Sequence, residues 1–147
     1  MAAKSQAGGI SLSHNVFFLF AAGAISVLVF QMGMATILNL LSMPTGAFPM
    51  GATKPLSVPQ TWSLAFWGGV WGIVFGAVEK YFPKDPIYWV AAALFGAIFP
   101  SLVLWFVVFP LKGIPVAAGW DAARMTTHVL NHAAWGVGTA LLLRWRP

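Results

Sequence analysis

The chain has 147 residues, of which 59% are apolar and only 7% charged, whereas water-soluble domains carry roughly 25% charged residues. Its net charge of +5 is spread over tails and loops, which suits topology and lipid headgroup contact and excludes a nucleic-acid patch. With no cysteine, disulfides, thiolate metal sites and thiol catalysis are excluded, and the length leaves no room for a soluble domain beside a membrane one.

Four runs, 16–41, 61–78, 87–109 and 125–143, contain no Asp, Glu, Lys or Arg. About 20 apolar residues in a helix cross a hydrocarbon core of about 30 Å, so each run predicts a membrane span. The expected fold is a single all-α membrane domain over residues 1–147, a four-transmembrane-helix bundle in the lipid bilayer. Basic residues set the orientation. Lys4, Lys80, Lys84, Arg144 and Arg146 fall on one side, and Lys54, Lys112 and Arg124 on the other, which places both termini in the cytoplasm. Trp62, Trp120 and Trp145 fall near span ends, where an amphipathic ring is most stable.

Residues 1–14 are small and polar, with His14 at the boundary as a headgroup residue. The first run is 26 residues long, against about 7–15 for the apolar core of a signal peptide, so it is expected to stay in the membrane despite the cleavage-like Thr45-Gly46-Ala47. Gln31 lies near mid-span and needs a hydrogen-bond partner inside the bundle. Pro44, Pro49, Pro55 and Pro59 in segment 42–60 exclude a helix or a central strand, leaving an outer loop or a short re-entrant one.

The second run places Gly68, Gly72 and Gly76 at every fourth position with Gly69 beside them, next to a ridge of Trp67, Trp71 and Phe75. Such a groove admits a neighbouring helix closely, from the same chain or from a second copy. A tight turn follows, with Glu79, Lys80, Lys84 and Asp85 between Pro83 and Pro86. Pro86 starts the third span, Pro100 interrupts it with an expected kink, and Pro110 and Pro115 close it and open the second outer loop.

An internal echo links the two halves. Val70-Trp71-Gly72-Ile73 with Lys80 parallels Ala134-Trp135-Gly136-Val137 with Arg144, and Phe48-Pro49-Met50 parallels Ile114-Pro115-Val116. The echo is that of two tandem helical hairpins related by an axis along the membrane normal; chance similarity in a Trp- and Gly-rich chain explains it equally well.

The fourth run is different. At 100° per residue, Asp121, Arg124, His128, Asn131, His132, Trp135 and Thr139 share an arc of about 100°. A polar stripe turns away from lipid, toward the bundle, a wet vestibule or a partner. At about 1.5 Å per residue, His128 lies about 5 Å and His132 about 10 Å inside the outer boundary. Three chemistries compete for the stripe. His128 and His132, spaced i and i+4, present two imidazoles on one face as weak metal candidates, but Arg124 repels a cation and no span holds a carboxylate. One helix face cannot supply both axial ligands of a haem, and no cofactor is expected. A proton or solute path would run along His128, Asn131 and His132 beside Gln31, again without an in-span acid. The structural alternative pairs Asp121 with Arg124 and bonds the histidines and Asn131 to Gln31, Asn39 or loop carbonyls, at about 1 kcal/mol per contact.

Small multidrug transporters of four spans depend on a Glu in the first span, and this first span has none. In length and hydropathy the chain resembles small bacterial inner-membrane proteins, which implies that location. The expected role is non-catalytic: an accessory or assembly subunit packing against itself or a larger membrane complex. A small oligomeric channel is the alternative, and a metal-binding membrane protein comes third.

Overall fold

A computed structural model of the chain describes residues 15–145; Lys4, His14 and Arg146, with the polar stretch 1–14, lie outside the described residues. Four long helices follow one another: α1 (Asn15–Leu40), α2 (Gln60–Val78), α3 (Ile87–Leu111) and α4 (Ala122–Arg144). A 3-10 turn, Glu79–Tyr81, extends α2. Three of the helices, α1, α2 and α3, have the length and apolar character of membrane spans. Apolar side chains such as Val29, Ile37, Phe66, Leu94, Phe99 and Phe106 stand exposed on their outer faces. Continuous apolar surface of that extent belongs in lipid, so the protein is integral to a membrane. α4 is not among the three, because the polar stripe lowers its hydropathy. It is instead heavily enclosed, burying Thr127, Asn131, Trp135, Gly136, Gly138, Thr139, Ala140 and Leu143.

The ends of α1 and α3 away from the 79–86 turn are built alike. Ser42 (φ 60°) and Gly113 (φ 72°) take the left-handed conformation just past the last turn. Met43 N–H then reaches back to Leu38 C=O at 2.9 Å, and Ile114 N–H to Phe109 C=O at 2.8 Å. This six-to-one closure satisfies carbonyls that a helix end leaves open, and a proline follows each. By this geometry Pro115 corresponds to Pro44 rather than to Pro49. Each helix also holds one π turn, Val27–Gln31 in α1 and Leu104–Val108 in α3. Pro100 sits buried inside α3, and the helix runs on past Pro110 to Leu111.

The connection from α1 to α2 contains a two-residue antiparallel ladder, β1 (Ala52–Thr53) with β2 (Val58–Pro59). Proline content excludes a central strand, and this is an isolated edge pair ending on Pro59. The loop is tied to α2, since Thr61 donates to Pro49 C=O through both its N–H (2.8 Å) and its hydroxyl (2.6 Å).

Helix pairs meet at glycines. On α2, a Cβ at Gly68 would strike the Val27 side chain, one at Gly72 the Leu19 carbonyl and Gly23 Cα, and one at Gly76 the Leu19 side chain. The groove foreseen on α2 is thus occupied by α1 of the same chain. On the other pair, a Cβ at Gly136 would strike the Ala92 carbonyl, with Gly96 Cα close by, and one at Gly96 the His132 carbonyl and Gly136 Cα. Leu19 and Gly23 stand to Gly72 as Ala92 and Gly96 stand to Gly136. In lipid no hydrophobic force drives helices together, so close backbone approach and dense van der Waals contact carry the association.

The former ridge on α2 divides by depth. Trp67 is exposed, Trp71 half-buried, and Phe75 fully enclosed. Phe75 is the hub of the core, meeting Phe82 and Phe95 with centroids at 5.4 Å and Trp135 at 6.2 Å, all edge-on. Such geometry suits the ring quadrupoles.

Candidate functional site

α4 begins on Asp121, whose Oδ1 accepts from the Arg124 backbone N–H at 3.0 Å. The carboxylate therefore caps the helix, satisfying an open donor at the positive end of the dipole. The expected side-chain pair between Asp121 and Arg124 is not formed among the described residues, because the carboxylate is turned onto the backbone; Arg124 is exposed. Ahead of Asp121, Ala117, Ala118, Gly119 and Trp120 all have φ between 51° and 70°. This left-handed turn leads into α4 and sets Trp120 against Phe106, centroids 6.2 Å apart.

The stripe then divides between two neighbours. His132 and His128 face α3: Nδ1 of His132 lies 2.8 Å from Ser101 Oγ, and Nδ1 of His128 accepts from Trp105 Nε1–H at 3.1 Å. Indole nitrogen only donates, so His128 is held with its proton on Nε2. The ring also packs edge-on to Phe109 at 5.5 Å. Asn131 points elsewhere, with Nδ2 donating to Thr45 Oγ1 at 3.4 Å. Trp135 crosses to α1. Its Nε1–H donates to Gly23 C=O at 3.0 Å, while its own carbonyl accepts from Ser26 Oγ at 2.7 Å. Thr139 is fully buried and its hydroxyl lacks a partner among the described residues. The Trp135 carbonyl, which a helical threonine at this position ordinarily uses, already receives Ser26.

Gln31 is buried in the π turn of α1, yet no hydrogen bond joins it to His128, Asn131 or His132 among the described residues. Asn39 serves its own loop, donating to Thr45 C=O at 2.8 Å. The partners in use, Ser101, Trp105 and Thr45, are therefore different from Gln31 and Asn39. For a metal, both Nδ1 atoms are engaged by α3, and no group of three His, Cys, Asp or Glu gathers among the described residues. The His132–Ser101 contact predicts a measurable coupling. A double-mutant cycle of His132→Ala and Ser101→Ala, read by detergent unfolding, should give about 1 kcal/mol, the scale of inter-helix bonds in membranes.

At the opposite end, a second polar cluster joins residues that sequence reasoning treats separately as turn and topology signals. Arg144 Nη1 and Nη2 bind Asp85 Oδ1 and Oδ2, each at 2.7 Å. The guanidinium also covers the rings of Tyr88 (4.7 Å) and Trp89 (5.5 Å), and Tyr88 donates to Glu79 Oε2 at 3.0 Å. The Arg144 hydrogen bonds hold the Asp85 carboxyl below its ordinary value. A lowered acid stabilises the fold above the usual carboxylate range, about pH 4, and loses that contribution as pH falls through the lowered value. Asp85→Asn should therefore flatten the acid side of the melting-temperature profile below about pH 5. An unchanged acid slope would contradict the assignment.

Comparison with known proteins gives no significant match to a family model, a curated protein or a solved structure.

Proposed function

We propose that the protein crosses the membrane four times with both termini in the cytoplasm, as two tandem helical hairpins, and works as a non-catalytic accessory or assembly subunit. The observation that carries this reading is the inward use of the polar stripe. His128 and His132 bond to α3 and Trp135 to α1, so the side chains best suited to chemistry are holding helices in order. Support for a fourth crossing comes from α4 lying antiparallel to α3 over its length, from the His128–Trp105 contact to the Arg144–Tyr88 contact. Lipid around α3 then flanks α4 as well. The matching glycine crossings and helix ends support the tandem reading, and the excess of basic residues on the terminal side supports the orientation. A bacterial inner membrane suits the size and hydropathy. What remains for a partner is the apolar outer surface, where Phe66, Trp67 and Leu94 are exposed and another subunit or a second copy can replace lipid.

Purification from native membranes at native expression tests the role. Stoichiometric partners or a defined homo-oligomer are expected, and a lone monomer would overturn it. A channel is the second reading, favoured by Asn131, whose buried Oδ1 has no partner among the described residues. Solute flux in proteoliposomes that vanishes in Asn131→Ala would select it.

A further inference from the structure

Beneath the turn that joins α2 to α3 lies a cavity of about 460 Å³, bordered by Glu79, Lys80, Lys84, Asp85, Tyr88 and Arg144. We propose that it is a headgroup site for an anionic phospholipid, with Lys80 and Lys84 as the phosphate-binding cations. The inference rests on the membrane orientation proposed above.

The charges around the cavity favour an anionic ligand. Both Asp85 oxygens are taken by Arg144, and Glu79 accepts from Tyr88. Lys80 lies over the Tyr81 ring at 5.0 Å, and neither Lys80 nor Lys84 has an ion pair among the described residues. Three cations against two carboxylates leave the lining of this one concavity net positive by one charge, with both ammonium groups at its border. The echo between the hairpins sharpens the point, because Lys80 occupies on α2 the place that Arg144 occupies on α4. Arg144 has its carboxylate in Asp85, and Lys80 has none among the described residues.

The two kinds of helix contact differ around this cavity. Glycines bring α1 onto α2 and α4 onto α3, whereas the rings of Trp71, Phe75 and Phe82 meet Phe95 between α2 and α3 at 5.4–6.2 Å. Tyr88 and Trp89, in the first turn of α3, mark the depth of an interface, where lipid phosphates lie. Exposed Val90, directly after Trp89, and exposed Val74 on α2 offer apolar surface to acyl chains. Basic pockets between helices on the cytoplasmic side are suited to anionic headgroups, and lysine binds phosphate as a point charge.

The test uses the full chain, delipidated in neutral detergent and titrated with phosphatidylglycerol, phosphatidylcholine or inorganic phosphate under native mass spectrometry. Preferential retention of phosphatidylglycerol is expected. At roughly fivefold per lysine near an anionic surface, Lys80→Gln/Lys84→Gln should weaken it about 25-fold. Lys54→Gln/Lys112→Gln, at the opposite end, should leave it unchanged. Equal retention by the two double variants overturns the site, and so does inorganic phosphate that competes as well as the lipid, which would assign the cavity to a free anion. A reporter fused after Pro147 separates the two readings. An outward reporter with the lysine dependence intact rejects the orientation alone, and a cytoplasmic reporter with that dependence lost rejects the site alone.

Discussion

Gly136→Leu is expected to abolish the folded protein, while Gly33→Leu leaves it unchanged. A Cβ at Gly136 meets the Ala92 carbonyl and lies close to Gly96 Cα, whereas one at Gly33 meets nothing within 4 Å. Both changes add the same side chain to a long helix, so they share any effect of hydropathy or helix propensity. Only the first drives α4 off the backbone of α3. Backbone cannot rotate aside as a side chain can, so the cost is about 3 kcal/mol or more, at the upper end of overpacking penalties. Separation of these helices would also strain the Ser101–His132 and Trp105–His128 contacts. Thermal denaturation in detergent, followed by tryptophan fluorescence and size-exclusion recovery, checks the pair. Equal recovery of both variants would refute the crossing. Gly72→Leu, at the matching crossing of α1 and α2, should behave like Gly136→Leu.

The second large effect is expected at Trp135, which is 2% exposed and ties α4 to α1 through its indole nitrogen. Trp135→Ala removes the edge-on partner of Phe75 and leaves a cavity between the hairpins. Large aromatic deletions from packed interiors cost about 3–5 kcal/mol. Trp135→Phe separates the contributions. It keeps most of the ring packing but removes the indole donor to the Gly23 carbonyl, and should cost about 1–2 kcal/mol. Unfolding in detergent with increasing denaturing surfactant reads both. If Trp135→Phe proves as damaging as Trp135→Ala, the hydrogen bond outweighs the packing, and ring volume is not what makes this side chain indispensable.

Much of the helix plan is legible in the sequence because charge is nearly absent from the spans. The uncharged run 16–41 maps onto Asn15–Leu40, 61–78 onto Gln60–Val78, 87–109 onto Ile87–Leu111, and 125–143 onto Ala122–Arg144. The polar arc of α4 is readable for the same reason, since a 3.6-residue period sorts seven polar or amphipathic residues onto one side. What it touches is not. Ser101 is the lone serine in an apolar run, and which side of α3 meets α4 is set by the approach of Gly96 to Gly136. Gly23 and Gly96 each stand without a second glycine four residues away, so neither announces a crossing. Hydropathy alone separates α4 from the other three helices. That separation reflects enclosure, since a helix shielded by α1 and α3 carries polar groups that a lipid-facing helix could not.

The fourth crossing proposed for α4 would bear on how the chain is made. Two imidazoles and a carboxamide weigh against release of this segment into bilayer by itself, so its integration depends on α3 already standing beside the insertion machinery. On that proposal Ser101 and Trp105 would act during synthesis as well as afterwards: they would receive the incoming histidines, and α4 would enter the membrane as the passenger of α3.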